Sequence, residues 1–131
     1  MHIRENNSVL LTFHLLSIKL FATAIEREQM EHIEKTYETK NGPVEGFCTK
    51  WSNFSILMIT GSKGFLACPA IDVDACEGFG KAGALVESSA DNPIGTLERM
   101  CERKITRANG LAKALGIKEG MIAKDAFELI A

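Results

Sequence analysis

Two turns govern the middle of this chain. Asn41-Gly42-Pro43 and Gly61-Ser62-Lys63-Gly64 cut residues 31–71 into short runs rich in β-branched and aromatic residues. Asn-Gly supplies positive φ at little cost, and Pro43 fits only at a strand start or edge. The first turn therefore predicts a hairpin between a strand reaching about Thr39 and one over residues 44–51. Residues 54–60 and 65–71 predict a second hairpin, and their nearly continuous hydrophobicity implies strands covered on both faces. Pro69 removes one ladder donor, so its strand is expected to lie at an edge there or to end.

Beyond the hairpins the pattern changes period. Asp72 suits a helix N-cap, with Asp74 adding negative charge where the helix dipole favours it, and Gly78 and Gly80 keep that helix short. Residues 82–86 read as a further strand, and residues 87–92 as a polar loop. Thr96 is a good N-cap for a helix over residues 97–102. Thr106 is expected to open a second helix whose apolar face is Ala108, Leu111, Ala112 and Leu115, closed by Gly116. After Gly120, Ile122, Ala126, Leu129 and Ile130 recur at helical spacing over residues 121–130. The expected fold class is α+β: a small single domain in which a β-meander of hairpins packs against C-terminal helices.

Length and charge narrow the functions. A chain of 131 residues is the size of one domain and buries roughly two thirds of its unfolded surface. A formal net charge of −2 gives no basic footprint, which argues against nucleic acid and anionic membranes as partners. Arg103, Lys104 and Arg107 read as a solvated face. The four cysteines include no C-x-x-C pair, and the three histidines lie outside the cysteine-containing part of the chain, which argues against a metal site. Reduced thiols and a cytoplasmic location are expected.

The first residues pose a separate question. Residues 9–25 are the most apolar segment, but His14 and Lys19 interrupt them, and a spanning helix needs about 20 clean apolar residues. A secretory signal ending in Ala22-Thr23-Ala24 is the nearest rival reading. The favoured expectation is that residues 1–29 are an extension, with translation starting at Met30 and the domain filling residues 30–131. If present, Leu10, Phe13, Leu16 and Leu20 would give an amphipathic docking helix.

Several stretches in succession have a familiar order: Asn53-Phe54 before an apolar strand, KGFLAC, AIDV, Gly80 to Gly83, and TLERMCERKITRANGLAKALGIKEGM. From about residue 31 to the end, the chain resembles the YunC-like family, domain of unknown function 1805, found in archaea and bacteria. The resemblance implies a small α+β domain with a β-meander and C-terminal helices, and no established activity. It also favours Met30 as the start. Pro69 stands where relatives usually carry glycine, and residues 74–79 are shorter than the family's helix.

Chemistry, if there is any, is expected in residues 65–84. Cys68 at a strand end is the candidate nucleophile or thiol ligand, with Asp72 orienting a partner, Lys81 lowering the thiol pKa, and Asn53 hydrogen-bonding a substrate. Each has a structural alternative: burial for Cys68, N-capping for Asp72, turn formation for Asn53. The sequence offers no base of the usual kind beside Cys68. Gly78, Gly80 and Gly83 spell G-x-G-x-x-G, but after a helix and before a strand, so no dinucleotide site and no cofactor is expected.

Three functions stay open. The first is a non-catalytic module that binds a small ligand or regulates and self-associates, most simply as a dimer. The second is a thiol-dependent enzyme acting on a small molecule through Cys68. The third is a structural subunit of a larger assembly.

Overall fold

Every strand of the sheet lies beside its neighbours in sequence. The computed structural model describes residues 30–131, so the expectations for residues 9–25 lie outside the described residues. β1 (Glu31–Thr39), β2 (Gly42–Trp51), β3 (Phe54–Thr60), β4 (Gly64–Ala67), β5 (Ala82–Val86) and β6 (Ile105–Ala108) form one sheet in chain order. The Lys40-Asn41 turn closes the first hairpin, with Thr39 opposite Gly42. Pro43 is the second residue of β2, beyond the last rung that β2 makes with β3, so its missing donor costs no ladder bond.

All neighbouring strands are antiparallel except β4 and β5, which are parallel. A parallel pair needs a crossover, and α1 (Val73–Gly78) supplies it. β4 stops at Ala67, just before Cys68 and Pro69, and so meets the expectation of a strand that ends there. The Asp72 carboxylate caps α1 by accepting from the N–H groups of Asp74 (3.1 Å) and Ala75 (3.0 Å).

The two faces of the sheet are covered unequally. Val44, Cys48, Leu57 and Ile59 point from β2 and β3 into the main core, where α2 (Leu97–Cys101), α3 (Gly110–Ala114), a 3-10 turn (Ala123–Ala126) and α4 (Phe127–Ile130) bring Leu97, Met100, Ala112 and Ile130. On the other face, Val73 of α1 packs with Phe65 and Ala67. β4 is thus buried on both sides. Gly83 lies directly across from Phe65, and a Cβ at that position would fall 2.4 Å from the Phe65 ring, so the aromatic side chain occupies the space that glycine leaves.

The C-terminal third departs from expectation. Residues 105–108 are strand β6, paired with β5, and Thr106 opens no helix. The helix begins later, with Asn109 as its cap and only Gly110–Ala114 as its body. Residues 121–130 are likewise not one helix. Ile105 N–H donates to the Met121 carbonyl (2.7 Å), Ala123 N–H to the Arg103 carbonyl (2.8 Å) and Gly120 N–H to the Ile105 carbonyl (2.7 Å). These bonds tie residues 120–123 to the strand beside them, and the local helical pattern yields to them.

Asn109 is buried, 2% exposed, and its side chain uses every bond it can form. Its Oδ1 accepts from Ala112 N–H (2.9 Å), which caps α3, and from Gly83 N–H (3.2 Å) of β5. Its Nδ2 donates to the carbonyls of Val73 (2.8 Å) and Lys81 (2.9 Å). One amide therefore fastens α1, β5 and α3 together. Replacing Asn109 with Ala strands four backbone groups, three of them in buried bonds, and a loss of about 3 kcal/mol is expected in urea unfolding, since each orphaned buried group costs roughly 1–3 kcal/mol before relaxation. A loss under about 1 kcal/mol would show that water or neighbours replace these bonds.

Candidate ligand site at the carboxyl ends of the parallel strands

Where β4 and β5 end, the chain turns away in two directions and leaves a cleft. After β4 come Cys68, Pro69 and Ala70; after β5 comes the loop bearing Ser88, Ser89 and Ala90; the start of β3 adds Asn53, Phe54 and Ser55. The cleft holds about 620 Å³, with Leu57 and Ile94 at its base. In open sheets, ligands settle outside the carboxyl ends of parallel strands, because the crossover leaves a crevice there. The volume lies in the range of small-molecule sites.

Cys68 is 5% exposed. Its N–H donates to the Leu57 carbonyl (3.0 Å), and its Sγ accepts from Leu57 N–H (3.5 Å). The thiol is thus part of the β3–β4 ladder and of the cleft wall together. All four cysteines are free thiols. Cys48, one rung away across Leu57, faces the core, and burial pushes its pKa up while Lys50 pulls the other way.

Asn53 follows Ser52 in the two-residue loop between β2 and β3, and both have positive φ, 46° and 65°. A tight hairpin with a right-handed twist requires this, and Asn tolerates it well. The turn role is therefore filled, and Asn53 also borders the cleft. Asp72 and Lys81 stand apart from the cleft wall. The Asp72 carboxylate is committed to capping α1, and the Lys81 carbonyl to Asn109. The structure brings Cys68 and Asn53 to one cleft and leaves Asp72 and Lys81 outside it.

The far wall is fixed by a residue that the sequence reading placed on a solvated face. The Arg103 guanidinium donates to the carbonyls of Glu87 (3.2 Å), Asn92 (2.6 Å) and Pro93 (3.1 Å), and to Asn92 Oδ1 (2.8 Å). A planar fork with five donors suits this task, because it can gather several carbonyls of one loop. Within that loop, Ser88 Oγ accepts from Ile94 N–H (3.0 Å) and Ser89 Oγ from Asn92 N–H (3.1 Å). An accepting hydroxyl retains its proton for donation. Ser88, Ser89 and Arg103 escaped the sequence reading. The only signal was a polar loop, since the chain separation between Arg103 and its acceptors hides the contact.

Among the described residues, every one that lines the cleft is uncharged, and the Cys68 thiol is the one ionisable group there. Among the described residues, no group of three or more His, Cys, Asp or Glu side chains could hold a metal. No described helix is long and apolar enough to cross a membrane.

Residues 67–130 match the model of a family described as Domain of unknown function (DUF1805). Over these residues the chain is similar to the DUF1805 family. The DUF1805 match begins at the end of β4 and so takes in Cys68, the Ser88–Ser89 loop, Arg103 and Asn109, but not the β3 side of the cleft. A solved structure titled "Crystal Structure of a Protein of Unknown Function TA1206 from Thermoplasma acidophilum" shares the fold: TM-score 0.67 at 20% identity, covering 79% of this chain and 96% of that one. No curated protein matches.

Arg103→Met removes the clamp but retains the bulk of the side chain. Amide hydrogen exchange over residues 87–94 is expected to speed at least tenfold in this variant while β2 and β3 stay protected. Unchanged exchange in the loop would show that the serine bonds hold it alone.

Proposed function

We propose that this domain is a non-catalytic binding module, cytoplasmic and self-associating, that holds a small uncharged ligand in the cleft beside Cys68. The observation that carries this reading is the chemistry of the wall. A site of this volume has hydroxyl and amide groups for orientation and apolar surface for affinity, but among the described residues no carboxylate, histidine or lysine to move a proton. An anionic or cationic ligand would leave its charge partly desolvated without a partner, which costs more than the apolar contacts return. The position of the cleft at the ends of parallel strands supports the same reading.

A second reading has one observation in its favour. The Leu57 N–H is aimed at Cys68 Sγ (3.5 Å) and holds the sulfur in place at the cleft wall, an orientation that a nucleophilic thiol would use. The two readings separate on one substitution. Under the binding reading, Cys68→Ser keeps ligand affinity within about threefold; under the enzymatic reading, it abolishes turnover and any covalent adduct.

The experiment is native mass spectrometry of the full chain isolated from its own host, followed by thermal-shift titration with the compound recovered or, if none is retained, with a panel of neutral small molecules. At one hundred times Kd the ligand should add about 2.7 kcal/mol of stability, and Ala90→Trp, which fills the cleft from an exposed loop, should remove that gain without lowering the stability of the free protein. Stabilisation by anions alone, or a full response in Ala90→Trp, would overturn the assignment.

A further inference from the structure

We infer that the free edge of β1 pairs antiparallel with β1 of a second copy, in the register that places Ile33 opposite Ile33. This inference rests on the self-association named above and is independent of the cleft. Among the described residues β1 has a strand on one side only, and its nine rungs with β2 run without a bulge. It contains neither proline nor glycine. Natural sheets usually blunt such an edge with a bulge, a proline or charge. β1 has charges alone, and the other edge strand, β6, is only four residues long with an irregular register beside it.

The charges on β1 narrow the register. Two copies related by a twofold axis pair residues whose numbers have a constant sum, and because a rung keeps both side chains on one face, that sum is even. Centring on Glu34 sets Glu34 against its own copy; centring on Lys35 does the same for the lysine; centring on Thr36 sets Glu34 against Glu38. Like charges directly opposite are unfavourable. Centring on Ile33 avoids all of these. It sets Glu31 against Lys35 twice, His32 against Glu34 twice, and Met30 against Thr36 twice. It also brings together the two copies of Ile33, which this edge leaves 46% exposed. The existing contacts do not oppose it: His32 already lies 2.8 Å from Glu34 in its own strand, and the Lys35 to Glu98 pair is long, 3.5 Å, between half-exposed groups.

The test is charge reversal on the full chain, read by sedimentation equilibrium at tens of micromolar, with circular dichroism confirming the fold. Wild type is expected to be dimeric. Glu31→Lys and Lys35→Glu are each expected to shift the protein to monomer, and the double variant to restore the dimer, because the two reversals exchange the partners of one rung. Under mild oxidation Ile33→Cys should give a disulfide-linked dimer, while Lys35→Cys and wild type should not. A monomeric wild type, a double variant that stays monomeric, or cross-linking at position 35 instead of 33 would overturn the pairing. The cleft is judged separately: ligand-induced stabilisation measured in the Glu31→Lys monomer reports on that reading whatever happens to the edge.

Discussion

The side chain of Asn109 secures the parallel step of the sheet, from β4 to β5, which no tight turn closes. Hairpins hold β1 to β4 in place, because each tight turn delivers the next strand to its neighbour. The β4–β5 step is different, since a parallel pair is joined by a crossover, and the short α1 has little helix of its own to dock with. Asn109 supplies what is missing by holding the start of α1 at Val73, the start of β5 at Lys81 and Gly83, and the cap of α3 with one buried amide. A buried polar group with all its bonds made specifies one arrangement, because any slip leaves several groups unpaired at once. Packing follows from it: Gly83, held at this spot, leaves room for the Phe65 ring, and Phe65 joins Val73 under α1.

The cleft is a consequence of the same crossover. β4 and β5 run in one direction, so both carboxyl ends reach the same edge of the molecule, and the chain leaves them by different routes. Pro69 marks the departure on one side. On the other, the loop after β5 is held by Arg103, which reaches it from the segment between α2 and β6. Cys68 serves both site and scaffold, as a rung of the ladder and as part of the wall.

Local signals made the first half of the fold legible. Asn41-Gly42, Gly61 to Gly64, Pro43 and Asp72 each act within a few residues, and each stands where its own chemistry predicts. Thr106 shows where that logic fails. Ile-Thr-Arg-Ala is too short to display a period, and Ala108 happened to fall at helical spacing from Leu111 and Ala112. What decides the segment is pairing with β5, more than twenty residues earlier. The same long-range bonding broke the run from Met121 to Ile130 into a 3-10 turn and a single α-turn. At the site, Cys68 was legible because a thiol in an apolar strand end is unusual. Asp72 and Lys81 were near it in sequence and not in the wall. Ser88, Ser89 and Arg103 were far from it in sequence and form or brace the wall.

The fate of the nearby charges strengthens the case for a neutral ligand. Two cations of the Arg103-Lys104-x-x-Arg107 stretch lie in the part of the chain that supports the cleft, and a phosphate or carboxylate site would be expected to draw on them. Arg103 instead spends its donors on three loop carbonyls and an amide oxygen. Arg107 grips Asp74 with both arms of its guanidinium, and that carboxylate holds its pKa above the ordinary range. To serve an anion, Arg103 would have to release the loop that makes the far wall, and Arg107 would have to leave α1. Recruiting either charge would weaken the cleft or its frame, which supports the proposal of a ligand held by shape, hydroxyl and amide groups.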